Sequence, residues 1–194
     1  MISCLHTSQV HVETFGGLIA DARHVVREGL LTRARSEGTD AVRDEVVKTL
    51  IEMVKDGPVL CTCSTLGPLV DEMGDTQIVR IDRPAMELAV AGGGEIVVAI
   101  CLESTREATL ALFDQVATGR ATAKLVLCDQ AWPYFEAGNM AAFSTEIQRV
   151  LEGQGARVLL AQASMAIAAD GLRDSGIEVF TTPQAAAEAV QALD

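Results

Sequence analysis

Short apolar runs alternate with amphipathic segments along the whole chain, and this alternation predicts βα units built on a mostly parallel sheet. Most of the runs are continuously apolar, as expected for strands that helices cover on both faces. The predicted strands are residues 2–5, 59–61, 78–81, 96–100, 124–127, 157–160 and 178–180, with a weaker candidate at 24–27.

The segments between the strands place apolar side chains at helical spacing. Ser104 and Glu107 have the spacing of a capping box, which predicts a helix that runs to about Thr118. The clearest helical segments are residues 41–55, the stretch from Asp82 to the glycines at 92–94, residues 104–118 and the stretch that begins at Thr182.

Two parts of the sequence resemble each other. Residues 59–66 and 159–166 both run from an apolar strand into a small polar turn and then a helix, at an offset of 100 residues (163 − 63). This echo predicts two pseudo-symmetric α/β lobes, each a mostly parallel sheet flanked by helices, with the active-site cleft between the lobes. The first lobe is expected at residues 1–95 plus 177–194 and the second at 96–176, with the glycines at 92–94 as the crossover.

Composition narrows the class of protein. Hydrophobic residues make up 49% of the 194 positions and aromatic residues only 4%, which predicts a globular protein with an aliphatic core. The formal net charge of −12 repels phosphate backbones, so nucleic acid is not an expected partner. Any anion must then be held by local donors, such as backbone N–H groups at the start of a helix.

The first residues contain no charged region followed by an apolar run, and no stretch approaches the length of a membrane span. We therefore expect neither an export signal nor a membrane partner. Five cysteines without an export signal favour a reduced, cytoplasmic protein.

Cys63 is the leading candidate for a reactive group. Ligands of parallel α/β sheets bind beyond the carboxyl ends of the strands, and Cys63 follows a strand and precedes a helix that is expected to begin at Ser64 or Thr65. A helix N-terminus lowers the pKa of a thiol, and the N–H groups of Ser64 and Thr65 could hold a carboxylate. The alternative is that Cys63 is a small core residue, as Cys4 and Cys61 are expected to be.

His6 ends the first strand, where it could bind substrate or tune Cys63. The alternative is a histidine that only caps its own turn. His11 and His24 are expected at the surface. Residues 61–63 carry two cysteines, but no second Cys or His pair follows at zinc-like spacing, so no metal site is predicted.

The chain resembles the aspartate/glutamate racemase superfamily, which also contains hydantoin racemases, maleate isomerases and arylmalonate decarboxylases. The resemblance rests on the turn 63–65, similar to the family's first Cys-Asn-Thr-type motif, on Ser104 and Thr105 after the mid-chain strand, and on residues 159–165, where the second cysteine motif belongs. It implies an isomerase that needs no cofactor, acts on a small carboxylate such as an amino acid or a dicarboxylate, and forms a homodimer.

The resemblance also implies roles for particular residues. Cys63 would be the first of two thiols that flank the substrate carbon, with His6 as a second catalytic candidate. The residues that would bind the substrate share a place beyond a strand end; they are Thr7, Ser64, Thr65, Ser104, Thr105, Gln162, Ala163 and Ser164.

The sequence departs from the family at the second thiol. The echo aligns Ala163 with Cys63, and a shift by one residue would align Gln162 instead; neither supplies a thiol. Three functions therefore stay open: a racemase-like isomerase in which Cys63 alone transfers the proton, a lyase similar to the arylmalonate decarboxylases, and a catalytically silent protein that binds a carboxylate.

Overall fold

The computed structural model describes residues 1–194, which form two compact units. The first unit contains residues 1–82 and 183–194, and the second contains residues 83–182. These bounds differ from the predicted ones because residues 178–181 pair with residues 157–160 in the second sheet. The chain passes from the first unit to the second between Asp82 and Arg83, at the start of the helix that ends at Ala91, and not at the glycines 92–94.

Each unit contains one parallel sheet of four strands, and all eight predicted strands are present, including the weak candidate at 24–27. The first sheet has the order β2-β1-β3-β4 and the second the order β6-β5-β7-β8, so both follow the same topology. The strands are β1 (Ser3–His6), β2 (Arg23–Val26), β3 (Val59–Cys61), β4 (Ile78–Arg80), β5 (Gly94–Ile100), β6 (Ala121–Leu127), β7 (Arg157–Leu160) and β8 (Glu178–Thr181).

Nine α-helices lie between the strands, where parallel pairing requires crossover connections, and a tenth follows the last strand. They are α1 (Val10–Leu18), α2 (Glu28–Glu37), α3 (Arg43–Val54), α4 (Gly67–Met73), α5 (Asp82–Ala91), α6 (Arg106–Ala117), α7 (Trp132–Glu136), α8 (Met140–Leu151), α9 (Ala169–Asp174) and α10 (Thr182–Gln191). None of them is long and apolar enough to cross a bilayer.

The core of each unit is mainly aliphatic, as the composition predicts. In the first unit, Leu5, Val59 and Cys61 lie on one face of the sheet and pack against helices α2, α3 and α4. Because side chains alternate along a strand, Cys4 and His6 point to the opposite face of β1. Cys4 and His6 therefore lie on the face of the first sheet opposite to Leu5 and Cys61.

One charged cluster is buried in the first unit. Arg80 at the end of β4 forms two hydrogen bonds of 2.7 Å with Asp82 and an ion pair with Asp71. We call these three residues the buried arginine cluster. Gly67 at the start of α4 packs so closely on the guanidinium that a Cβ atom there would overlap it.

Candidate active site

Cys63 lies at the expected junction between strand and helix. β3 ends at Cys61, a 3₁₀ turn covers Ser64–Leu66, and α4 follows directly, so the prediction of a helix beginning at Ser64 or Thr65 is confirmed in its position. The turn is closed by the Leu66 N–H group, which donates to the Cys63 carbonyl oxygen at 3.0 Å.

Hydrogen-bond donors surround the Cys63 sulphur. They are the hydroxyls of Thr7 and Thr65 and the backbone N–H groups of Thr65 and Leu66. Cys63, Thr7 and Thr65 are all nearly inaccessible to solvent, with exposed fractions of 5 to 7%. Thr7 follows β1 and Thr65 follows β3, so neighbouring strands of one sheet supply the side chains, as expected for a site at the carboxyl edge.

Burial determines the direction of the Cys63 pKa. Removal of the thiol from water raises its pKa, and the hydrogen bonds from Thr7, Leu66 and Thr65 offset only part of that increase. The pKa shift is therefore opposite to the one expected from the helix terminus alone. The thiol is protonated near neutral pH, and the four donors are positioned to stabilise the thiolate once a proton has been lost.

His6 faces away from Cys63. Its Nδ1 atom lies 2.8 Å from the Thr62 hydroxyl and its Nε2 atom lies 2.8 Å from Nδ1 of His24. Thr62 and Cys63 are consecutive residues on an extended segment, so their side chains leave the backbone in opposite directions. His6 consequently forms no hydrogen bond with the thiol, whereas its neighbour Thr7 does.

The three histidines of the chain form one group, which we call the histidine cluster (His6, His11 and His24). The His6 ring stacks on His24 with centroids 5.1 Å apart and lies 6.4 Å from the His11 ring. The expectation that His11 and His24 are surface residues is wrong, because both are partly buried against His6 and Phe15. Burial lowers the pKa of His6 to about 3, with additional lowering from the other two rings, and lowers the pKa of His11 to about 4.

The second unit repeats the strand arrangement around a different residue. β3 pairs with β1 in the first sheet, and β7 pairs with β5 at the same place in the second. Leu5 is the register partner of Cys61, and Ala99 is the register partner of Leu160. The last paired residues of β3 and β7 are therefore offset by 99 residues (160 − 61).

The turns after these strands follow the same offset. The Leu66 N–H group donates to the Cys63 carbonyl at 3.0 Å, and the Met165 N–H group donates to the Gln162 carbonyl at 3.0 Å. Gln162 is therefore the equivalent of Cys63. The alignment of Ala163 with Cys63 is corrected by one residue, because the sequence echo ignored the register of the strands.

The side chain of Gln162 is buried and accepts hydrogen bonds from backbone N–H groups. Its Oε1 atom accepts the N–H groups of Cys101 at 2.5 Å and Leu102 at 3.3 Å, which orients the amide group and directs its NH₂ group away from them. Ala163 and Ser164 follow in the turn and are half-buried.

The expected capping box at Ser104 is absent. Residues 103–105 form a 3₁₀ turn, α6 begins at Arg106, and no side chain caps it. Thr105 is buried and its hydroxyl donates to the Leu102 carbonyl at 2.7 Å, whereas Ser104 is exposed. Because the Thr105 hydroxyl donates to a carbonyl oxygen three residues earlier in the chain, residues 103–105 form a turn in place of the expected side-chain cap.

A surface pocket of about 760 Å³ lies elsewhere in the second unit. Gly155, Ala156 and Ile177 line it at the amino ends of β7 and β8, together with residues of α8. Ligands of parallel sheets bind at the carboxyl ends, and no predicted site residue lines this pocket. It therefore does not belong to the candidate active site.

No family model and no curated protein sequence matches the chain. Solved structures match it over nearly its full length. A glutamate racemase from Bacillus anthracis gives a TM-score of 0.73 at 10% identity, with 99% of this chain and 80% of that chain covered. The aspartate racemase of Picrophilus torridus gives 0.71 at 13% identity, with 100% and 93% covered.

A third match is the allantoin racemase from Klebsiella pneumoniae, with a TM-score of 0.62, 18% identity, and 99% of this chain and 86% of that chain covered. At these identities the matches concern the fold. The chain shares the fold of these three racemases, and the predicted α/β class, with two parallel sheets flanked by helices, is confirmed.

Proposed function

We propose that the chain is a racemase-like isomerase that acts on a small carboxylate and uses Cys63 to move a proton. One observation carries the proposal: a thiol at a strand end of a racemase fold is surrounded by the hydroxyls of Thr7 and Thr65 and by two backbone N–H groups. Donors in this arrangement stabilise a thiolate, which is the species that removes a proton from carbon.

The proposed reaction conserves protons. The resting Cys63 thiol first releases its proton to solvent. The thiolate then removes the proton next to the substrate carboxylate, which leaves an enediolate and a neutral thiol. The planar enediolate turns over beside the thiol, which returns the proton to the opposite face of the carbon. Ser64 begins a 3₁₀ turn, and its N–H group has no partner within the turn, so we assign this group to an oxygen of the enediolate.

Local donors of this kind are required because the formal net charge of −12 repels an anionic substrate. Gln162 stands where the register places the equivalent of Cys63, and an amide cannot deliver a proton to carbon. The proposed proton transfer therefore uses Cys63 alone.

A lyase similar to the arylmalonate decarboxylases is the second candidate. Burial raises the Cys63 pKa, so the resting group is a neutral thiol, which is the form that protonates an enediolate after carbon dioxide has left. The two functions need opposite forms of the same group. Isomerase activity should rise with pH towards the raised pKa, whereas lyase activity should be constant near neutral pH and fall above that pKa.

The test measures exchange of the α-hydrogen for deuterium. Wild-type protein in deuterium oxide is incubated with glutamate and aspartate, and with substituted malonates to detect carbon dioxide. The Cys63→Ser variant keeps the size and hydrogen bonds of the side chain but loses the acidity, and Cys128→Ala removes another buried thiol as a matched control.

Exchange that Cys63→Ser abolishes and Cys128→Ala retains supports the isomerase. Carbon dioxide release with a product of one configuration supports the lyase instead. Equal turnover in wild type and Cys63→Ser removes Cys63 from the mechanism. Carboxylates that raise the melting temperature without any exchange or carbon dioxide release would indicate a silent binding protein.

A further inference from the structure

A second group of reactive side chains lies on the opposite face of the first sheet from Cys63. Cys4 and His6 are two residues apart on β1 and point to the same face. His24 on β2 is the register partner of Cys4. One ligand atom from each of these three residues lies within 4.8 Å of the other two.

The hydrogen bonds fix the tautomer of His6. The Thr62 hydroxyl donates its only hydrogen to the Leu5 carbonyl at 3.0 Å, so it accepts at 2.8 Å from His6, which must carry its hydrogen on Nδ1. The lone pair on His6 Nε2 then faces His24 Nδ1. A ring nitrogen that donates to an oxygen while the other presents a lone pair is the usual arrangement of a metal-binding histidine.

His11 supplies an independent observation. Both of its ring nitrogens are buried and neither has a hydrogen-bond partner. A buried polar atom without a hydrogen-bond partner destabilises the folded protein by about 1–3 kcal/mol, so a ligand that binds to it would be stabilising. The ring lies 6.4 Å from that of His6, on the first turn of α1.

We propose that Cys4, His6 and His24, with His11 as the fourth ligand, bind one Zn²⁺ ion. One thiolate and three imidazoles are the ligand types that zinc prefers in tetrahedral sites. The ligand atoms must adjust, since Zn–N and Zn–S bonds are about 2.0–2.1 Å and about 2.3 Å. Cys4 releases its proton to solvent as the S–Zn bond forms, and the His24 hydrogen moves to Nε2; no oxidant or reductant takes part.

The surroundings favour access of a cation. β2 is an edge strand of its sheet and His24 is partly exposed, so an ion can reach the ligands from the side of the sheet. The formal net charge of −12 attracts cations to the protein. Bound zinc would join β1, β2 and α1, and it would give one of the two buried nitrogens of His11 a partner.

The test titrates the full chain, freed of metal with a chelator, first with Co²⁺ and then with Zn²⁺. We expect one Co²⁺ per chain, with the strong visible bands of tetrahedral cobalt and a sulphur-to-cobalt charge-transfer band in the near ultraviolet. Zn²⁺ should displace the cobalt and abolish the visible and charge-transfer bands. Elemental analysis should then find one zinc ion per chain. The Cys4→Ser variant should lose the charge-transfer band, whereas the matched control Cys128→Ser should keep it.

Two further variants keep the test valid if Cys4→Ser does not fold. His24→Gln changes a partly exposed ligand and should weaken Zn²⁺ binding by more than about 100-fold, beyond the effect of losing an outer partner. Thr62→Val removes the partner of His6 and should weaken binding by about 10–100-fold. The proposal is overturned if wild type binds no stoichiometric metal, if a folded Cys4→Ser keeps the charge-transfer band, or if His24→Gln binds Zn²⁺ as tightly as wild type.

Discussion

Replacement of Gln162 by cysteine tests the corrected register of the second unit through stability. The Gln162 Oε1 atom accepts the buried N–H groups of Cys101 and Leu102, and a cysteine side chain is too short to reach both. Each buried donor without a partner costs about 1–3 kcal/mol. The 3.3 Å bond to Leu102 is the weaker one, so we expect a loss of about 2–4 kcal/mol in the free energy of unfolding. Ala163→Cys, one residue away at a half-buried position, should change it by less than about 1 kcal/mol.

Urea unfolding followed by circular dichroism measures the difference between the two variants. With a urea dependence of about 2–3 kcal/mol per molar, the Gln162→Cys midpoint should fall by about 0.7–2 M, and the Ala163→Cys midpoint should stay close to wild type. Equal midpoints for the two variants would refute the reasoning. A larger loss in Ala163→Cys would show that residue 163, and not residue 162, is the one that supports the backbone after β5.

Three other outcomes follow from the packing and the titrating groups. Gly67→Ala should destabilise the protein by about 1–3 kcal/mol because the new methyl group overlaps the buried arginine cluster. Gly29→Ala, where the Cβ position has open space around it, should stabilise α2 by up to about 1 kcal/mol. Similar urea midpoints for the two variants would contradict the overlap. In metal-free protein, the unfolded state binds more protons than the folded state below pH 6.5, because the pKa values of His6 and His11 are lowered to about 3 and about 4. The contribution of these two histidines to the free energy of unfolding is therefore fully present above pH 6.5. It falls from there to pH 5 by up to about 1.4 kcal/mol per pH unit for each histidine. Urea midpoints that do not change with pH would contradict this. Iodoacetamide should alkylate Cys63 more slowly than a free thiol at pH 7.5, with a rate that rises as pH approaches the raised pKa; a rate equal to that of free cysteine, followed by mass spectrometry, would contradict the burial.

The strands could be predicted from the sequence because parallel strands buried on both faces are continuously apolar. Residues 59–61 and 157–160 are such runs, and both are strands. The boundary between the two units could not be predicted in the same way. It depends on the pairing of β8 with β7, a contact between residues about 20 positions apart that no local pattern encodes.

The candidate site was predicted as far as it depends on local sequence. Cys63 and Thr65 follow one strand, so their proximity could be inferred, and Thr7 joins them because β1 is the neighbour of β3. The histidine cluster could not be found in this way, since His11 and His24 come from a different helix and a different strand. The only local signal was the spacing of Cys4 and His6, which places both on one face of β1.

Burial of all five cysteines has a consequence for resistance to oxidation. Removal from water raises the pKa of every thiol in the chain, including Cys63. Peroxide attacks the thiolate and not the thiol, so the resting protein exposes little reactive sulphur to it. A thiol of high pKa also yields a stronger base once it is deprotonated, which suits removal of a weakly acidic hydrogen from carbon. Burial of Cys63 thus protects the thiol at rest and, in the proposed reaction, makes its thiolate a stronger base.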